Sequence, residues 1–273
     1  MSSSHDQDLL DYLRKAKTRH AHLAELFNFY EQLFHAQFEF KVHLRREDKP
    51  VYPGKKEINL TYLAEGTPQI TFDELNIEGA PFVDLYKNIV ELLIRNADYP
   101  APAKKMPQPD TIVRYAREIF DSRGPLVGSS QPAELVRTAS GFVLAPYLQT
   151  ACEFILPRIP QSAWHCGYCP VCGGVPSFGA FHGEGGSRTL LCSRCNGEWT
   201  FRRVGCPFCL ESDQQTYFPG AEGAYRLYVC GVCNRYLKAL DVRERASDLC
   251  LPVECIVTVS MDIAAQEKGY KCY

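Results

Sequence analysis

A chain of 273 residues that is 45% hydrophobic can bury one substantial core plus a small appendage, which bounds it to one or two domains. Its formal net charge of -2 argues against a molecule dominated by nucleic-acid binding. Met1-Ser2-Ser3-Ser4-His5-Asp6 shows no apolar run behind a basic start, and the longest apolar tract, Phe142 to Leu156, is interrupted by Pro146, Gln149, Thr150 and Glu153. The expectation is a cytoplasmic protein with no membrane partner, in which 13 cysteines serve metal ligation and not disulfides, because that compartment keeps thiols reduced.

In chain order, Asp6 to Leu44 reads as helical with a break near Thr18. Leu23, Leu26, Phe27, Tyr30, Phe34 and Phe38 recur at three- and four-residue steps, a stripe suited to packing in a core. Arg45 to Pro53 is a charged loop, and Glu57 to Phe72 is expected to be extended or irregular. Asp73 caps a short turn. Pro81 opens a helix whose Phe82, Leu85, Tyr86, Ile89 and Leu93 share one face. Tyr99 to Pro109 is a proline-rich linker. Asp110 is the expected N-cap of a helix carrying Ile112, Tyr115, Ala116, Ile119 and Phe120, which Arg123-Gly124-Pro125 ends. Gln131 to Arg158 reads as a long helix, apolar on two sides and bent at Pro146, with Cys152 as an inert core thiol.

The strongest signal follows. Eight cysteines form four Cys-x-x-Cys pairs, Cys169/Cys172, Cys192/Cys195, Cys206/Cys209 and Cys230/Cys233, with 19 residues between the first two pairs and 20 between the last two. That is the spacing of two pairs sharing one tetrahedral ion, twice over. Cys169-Pro170-Val171-Cys172 returns as Cys206-Pro207-Phe208-Cys209, and Thr189 to Asn196 returns as Leu227 to Asn234, so the two halves read as a tandem repeat. Gly173, Asn196 and Asn234 directly follow a pair and tolerate the left-handed backbone that such turns need; Leu210 departs from that pattern. Pro176–Phe181 with Ser187–Leu191, and Gln215–Phe218 with Tyr225–Val229, read as hairpins. The glycines of His182 to Gly186 make a hairpin turn rather than a phosphate loop. Trp199 and Tyr236 are expected to shield the metal turns, Arg202 and Arg203 to be solvated, and Cys166 with His165 to be accessory. Cys250, Cys255 and Cys272 have no metal-like spacing, and Arg243-Glu244-Arg245 leads into a C-terminal segment expected to be helical.

The fold class expected is α+β: an N-terminal helical bundle domain (1–163), a first rubredoxin-like or zinc-ribbon module (164–203), a second (204–245), and a C-terminal segment (246–273). A four-cysteine shell leaves no open position for substrate or water, so the sites suit structure or electron transfer and the chain is not read as an enzyme. Zinc and iron take the same ligands. Stripping the ion is expected to melt residues 166–240, since metal supplies about 10–16 kcal/mol in zinc-finger peptides.

Trp164-x-x-x-x-Cys169-Pro170-Val171-Cys172-Gly173, then Cys192-x-x-Cys195-x-x-Glu198-Trp199-x-x-x-Arg203-Val204-x-Cys206-x-x-Cys209, then Cys230-x-x-Cys233-x-x-Tyr236-Leu237-Lys238, resembles the FdhE-type formate dehydrogenase accessory proteins. Leu144-Ala145-Pro146-Tyr147-Leu148 and Glu267-Lys268-Gly269-Tyr270 are similar more loosely. The resemblance implies a cytoplasmic maturation factor that binds the formate dehydrogenase catalytic subunit, self-association, and two iron ions where ligand type alone favours zinc. Two rival readings remain open at this level: a zinc-ribbon nucleic-acid-binding protein and a rubredoxin-like electron-transfer protein. Nine basic against seven acidic residues from Phe181 to Arg245 weigh against the former.

Overall fold

The computed structural model describes residues 4–46, 57–77, 80–96, 107–122, 131–183, 185, 187–213, 215–220, 223–242 and 249–272. The stretches read as the Arg45–Pro53 loop, the Tyr99–Pro109 linker, the Arg123–Pro125 stop, and Arg243–Arg245 fall wholly or mainly outside the described residues, as do Glu184 and Gly186 of the first hairpin turn and Ala221 and Glu222 of the second. The chain divides into two compact units.

The first unit is helical. α1 (Ser4–Arg19) gives way at His20 to a short 3₁₀ turn, and α2 (Ala24–Arg46) follows, which places the break just beyond Thr18. Leu9, Leu10, Leu13 and Ala16 are buried on α1, and Phe27, Phe34 and Phe38 on α2, with the rings of Phe34 and Phe38 stacked at 5.7 Å. Phe27, Phe34 and Phe38 of the expected stripe are core, while Leu23, Leu26 and Tyr30 are only partly buried. Lys41 is almost wholly buried, and a lone ammonium there would be strongly disfavoured; the carboxylates of Asp6 and Glu153 hold it, and Arg45 joins them through Glu153.

α4 (Ala80–Asn96) buries all five of the residues expected on its inner face. Asp73 is the first residue of a 3₁₀ turn and not its cap, a position Phe72 takes with no side-chain capping bond; the Asp73 carboxylate instead takes the guanidinium of Arg117, which also lies 4.4 Å over the Phe72 ring. α5 (Pro109–Asp121) starts two residues earlier than expected. Gln108 is its N-cap and Pro109 the first helical residue, where the ring's fixed φ suits the helix; Asp110 sits inside the first turn, near the positive end of the helix dipole.

α6 (Gln131–Ile155) runs through Pro146. Proline lacks an N–H, so the Phe142 carbonyl four residues back loses its helical donor. Gln37, buried on α2, replaces it: its Nε2 donates to Phe142 O at 2.8 Å. By length and hydropathy Glu134–Arg158 could cross a membrane, contrary to the sequence expectation, but 67% of that window is buried inside the protein, as in a core helix.

The second unit contains a short helix, α3 (Leu60–Ala64), where the sequence suggested an extended or irregular stretch; five residues are too few for a periodic signal. Asn59 caps it, accepting from Tyr62 N at 3.1 Å. Six strands then form one sheet: β1 (Pro176–His182), β2 (Ser187–Cys192), β3 (Glu198–Phe201), β4 (Gln215–Pro219), β5 (Tyr225–Cys230) and β6 (Tyr236–Asp241), in the order β3-β2-β1-β6-β5-β4. Each repeat is an antiparallel three-stranded meander. The two join where β1 pairs in parallel with β6, Phe178 opposite Lys238 and Ala180 opposite Leu240.

The C-terminal segment forms α7 (Leu251–Val257) and α8 (Val259–Glu267). Phe178, Ala180, Leu191, Leu240, Val242 and Leu251 make one core cluster, and Leu227, Val229, Tyr236 and Ala265 another. The sheet therefore has an apolar core that the sequence reading, which left the ribbons to the metal alone, did not foresee. Lys238 fastens the helices to β6 from a buried position, its Nζ donating to Cys255 O (2.8 Å) and pairing with Asp262 (2.6 Å).

Candidate metal centres

Each Cys-x-x-Cys pair closes the same turn. The N–H of its first cysteine donates to a carbonyl five residues on: Cys169 to Gly174 (2.8 Å), Cys192 to Gly197 (2.8 Å), Cys206 to Glu211 (2.7 Å), Cys230 to Arg235 (3.0 Å). The residue just after each pair sits at positive φ: Gly173 at 70°, Asn196 at 55°, Leu210 at 66° and Asn234 at 56°. Leu210 thus keeps the geometry its side chain disfavours, and the third turn departs from the others in residue but not in shape.

These turns bring the predicted ligands together in two groups. Cys169, Cys172, Cys192 and Cys195 form one, and Cys206, Cys209, Cys230 and Cys233 the other; within each, all sulfurs lie within 4.8 Å of one another. In the first, Cys169–Cys195 and Cys172–Cys195 are 3.6 Å apart and Cys172–Cys192 3.5 Å. In the second, Cys206–Cys233 and Cys209–Cys230 are both 3.6 Å apart. A tetrahedron with metal–sulfur bonds of about 2.3 Å has edges of about 3.8 Å, so both donor sets fit one thiophilic ion each. None of the 13 cysteines is in a disulfide.

Without an ion the thiols differ in protonation. Burial pushes the Cys169 and Cys206 thiols up, which favours keeping their protons. Burial acts the same way at Cys192, yet hydrogen bonds from Cys169, Cys172 and Cys195 outweigh it and hold that thiol well down. At Cys230 burial is likewise outweighed, first by the amides of Cys233 and Val232 and then by neighbouring thiols. Four buried sulfurs this close can all be thiolates only around a cation.

The surroundings of the clusters differ. All four thiols of the first are buried; in the second Cys209 is exposed and Cys233 half-buried. A strap from Gly66 to Gln69 lies over the first: Gln69 N donates to Pro170 O (2.9 Å), Tyr168 Oη donates to Gly66 O (2.7 Å), and a Cβ on Gly173 would stand 3.0 Å from Pro68. Sequence reasoning missed this strap, since nothing local marks it. The second cluster instead has Val204, Leu210 and Val232 exposed around it. Gly167 is the joint between the turns: a Cβ there would lie 1.8 Å from Pro207 O, so only glycine lets the two backbones approach.

The remaining sequence candidates lie outside both groups. Cys166 is half-buried with Sγ against Gly66, and His165 is exposed. Trp199 is buried and donates Nε1 to Cys166 O (3.2 Å), beside the first turn. Tyr236 faces elsewhere, packing with Leu227, Val229 and Ala265 and bonding Asp262 at 3.0 Å. Arg203 is exposed; Arg202 donates to Leu210 O and lies 5.7 Å from the Phe201 ring. Cys255 reaches Ser177 O at 3.9 Å, Cys272 packs against the second core cluster, and Cys250 precedes α7.

Residues 168–203 match the family model described as FdhE, central domain. The chain is 27% identical over 215 residues to "Protein FdhE homolog" of Aquifex aeolicus (strain VF5), covering 76% of this chain and 73% of that protein. It is 35% identical over 106 residues to the protein of the same name from Edwardsiella ictaluri (strain 93-146), covering 37% and 34%. A third, from Pseudomonas aeruginosa, is 28% identical over 232 residues, covering 75% and 69%. The matched lengths thus range from about a third to about three quarters of the relatives. A solved structure, "The crystal structure of the FdhE protein from Pseudomonas aeruginosa", superposes with a TM-score of 0.60 at 19% identity over 98% of this chain and 92% of that one, a likeness of fold.

Proposed function

The chain belongs to the FdhE family, and from that premise we propose that it is an accessory protein in formate dehydrogenase maturation which binds that enzyme's catalytic subunit. The observation that carries the reading is the pair of four-sulfur shells set in the turns of one sheet. Cys169, Cys172, Cys192 and Cys195 hold one ion, and Cys206, Cys209, Cys230 and Cys233 the other; each ion supplies a rigid crosslink and, if it is iron, a one-electron couple. A filled shell gives a substrate nowhere to bind, so the role is non-catalytic: the protein holds and prepares an unfinished partner, alone or self-associated, and its free thiols suit the reducing cytoplasm. Iron is favoured by the family resemblance and zinc by ligand type.

Capture of the tagged chain from native cells, with elemental analysis of the eluate, tests both halves. The expected result is a formate dehydrogenase catalytic subunit in the eluate and two ions per chain. An eluate without that subunit, or a chain without metal, overturns the corresponding half. Exposure of Cys209 gives the electron-transfer reading an observation of its own, since electrons pass readily only through a reachable ligand. Reversible oxidation of iron in the second cluster supports it, and redox-silent zinc removes it.

A further inference from the structure

Arg188, on β2, is 1% exposed. Among the described residues no carboxylate pairs with it and its Nε has no hydrogen-bond partner. Its Nη2 donates to Gly205 O at 2.7 Å, one residue before Cys206, and its guanidinium lies 4.9 Å from the Phe201 ring and 5.9 Å from that of Phe181. Two ring faces offset only part of the cost of desolvating a guanidinium. The internal repeat supplies the contrast: Thr189 corresponds to Leu227, so Arg188 corresponds to Arg226, which pairs with Asp241 at 2.6 Å. Burial lowers the pKa of Arg188 to about 10, which leaves it charged at neutral pH.

A divalent ion in a four-thiolate shell leaves two net negative charges, and a trivalent ion one. We propose that Arg188 is the buried counter-charge of the second cluster, reaching across from the first repeat to hold the Gly205–Cys206 peptide and offset the excess negative charge of the loaded thiolates. The inference rests on the metal reading of the preceding section.

The test loads the full chain with cadmium and follows its two tetrathiolate sites by ¹¹³Cd NMR during a chelator titration, with the second-cluster signal assigned as the one that shifts or disappears in Cys209→Ser. Arg188→Met should empty the second cluster at about tenfold lower chelator concentration, leave the first unchanged, and be largely rescued by Arg188→Lys. A change under about twofold, or equal weakening of both clusters, overturns the proposal. Where Arg188→Met does not fold when loaded, the same substitution in a Cys206→Ser/Cys209→Ser chain decides. There the charge has no metal–thiolate partner, so its removal should raise the thermal midpoint, and a lowered midpoint overturns the proposal. A wild-type chain that takes up no second ion overturns the metal reading and the inference with it; two ions with an insensitive Arg188 variant overturn the inference alone.

Discussion

The first and second clusters share ligand type, spacing and turn geometry, yet the first is enclosed and the second opens to solvent at Cys209 and Cys233. The difference comes from what lies over the turns. In the first repeat the strap brings Pro68 against Gly173; at the corresponding place in the second stands exposed Leu210. Local sequence makes a metal turn, while the rest of the chain decides whether water and reagents reach it. The enclosed site should therefore hold its ion against reagents that can reach the open one.

The largest effect expected is at the enclosed shell. Cys172→Ser removes a ligand where water cannot take its place, whereas a solvent molecule can complete the shell in Cys209→Ser. The former should cost more stability, by about 3 kcal/mol, in equilibrium denaturant unfolding. Equal losses would erase the distinction between the sites. Gly167→Ala attacks their joint: the added methyl would collide with Pro207 O and should cost about 3 kcal/mol by the same measurement, loosening both clusters at once.

Metal release sharpens the comparison kinetically. A chromogenic chelator should take the second ion first, with the thiols of that cluster alkylated first by mass spectrometry; release from the first site before the second would contradict the enclosure argument. Burial keeps the Cys169 and Cys206 thiols protonated in the metal-free chain, so loading must displace protons, and apparent affinity at both sites should fall as pH falls. The smallest effect is conformational. Leu210→Gly relieves a left-handed leucine and should stabilise the second cluster by about 1 kcal/mol, while Gly173→Leu, at φ 70° and against Pro68, should do the opposite in the first.

The cysteine pairs could be read from sequence because a metal turn is a local object: two residues between sulfurs and one left-handed residue after them. The hairpins were visible for the same reason. The third strand of each repeat was not, since Glu198–Phe201 and Tyr236–Asp241 follow the ligand turns closely, and Trp199 and Tyr236 looked like shields for the ions. Trp199 does lie beside the first turn, but Tyr236 is part of the core under α8. That core also revises the effect of stripping the ions: the turns should lose order first, with amide exchange staying slow at Ala180 and Leu240.

Pro146 shows the same boundary in the helical unit. Its position announces a lost helical hydrogen bond, but only the packing of α2 against α6 reveals that Gln37 supplies the missing donor. By itself the sequence determined the two four-sulfur sites, the helical first unit and the strand pairs that flank the ligands, because each depends on residues close together in the chain. Tertiary structure alone decided that β1 pairs with β6, that one site is enclosed and the other open, and that Arg188 lies buried beside the second. Those outcomes depend on contacts between distant segments, whose partners are set by packing and desolvation over the whole unit.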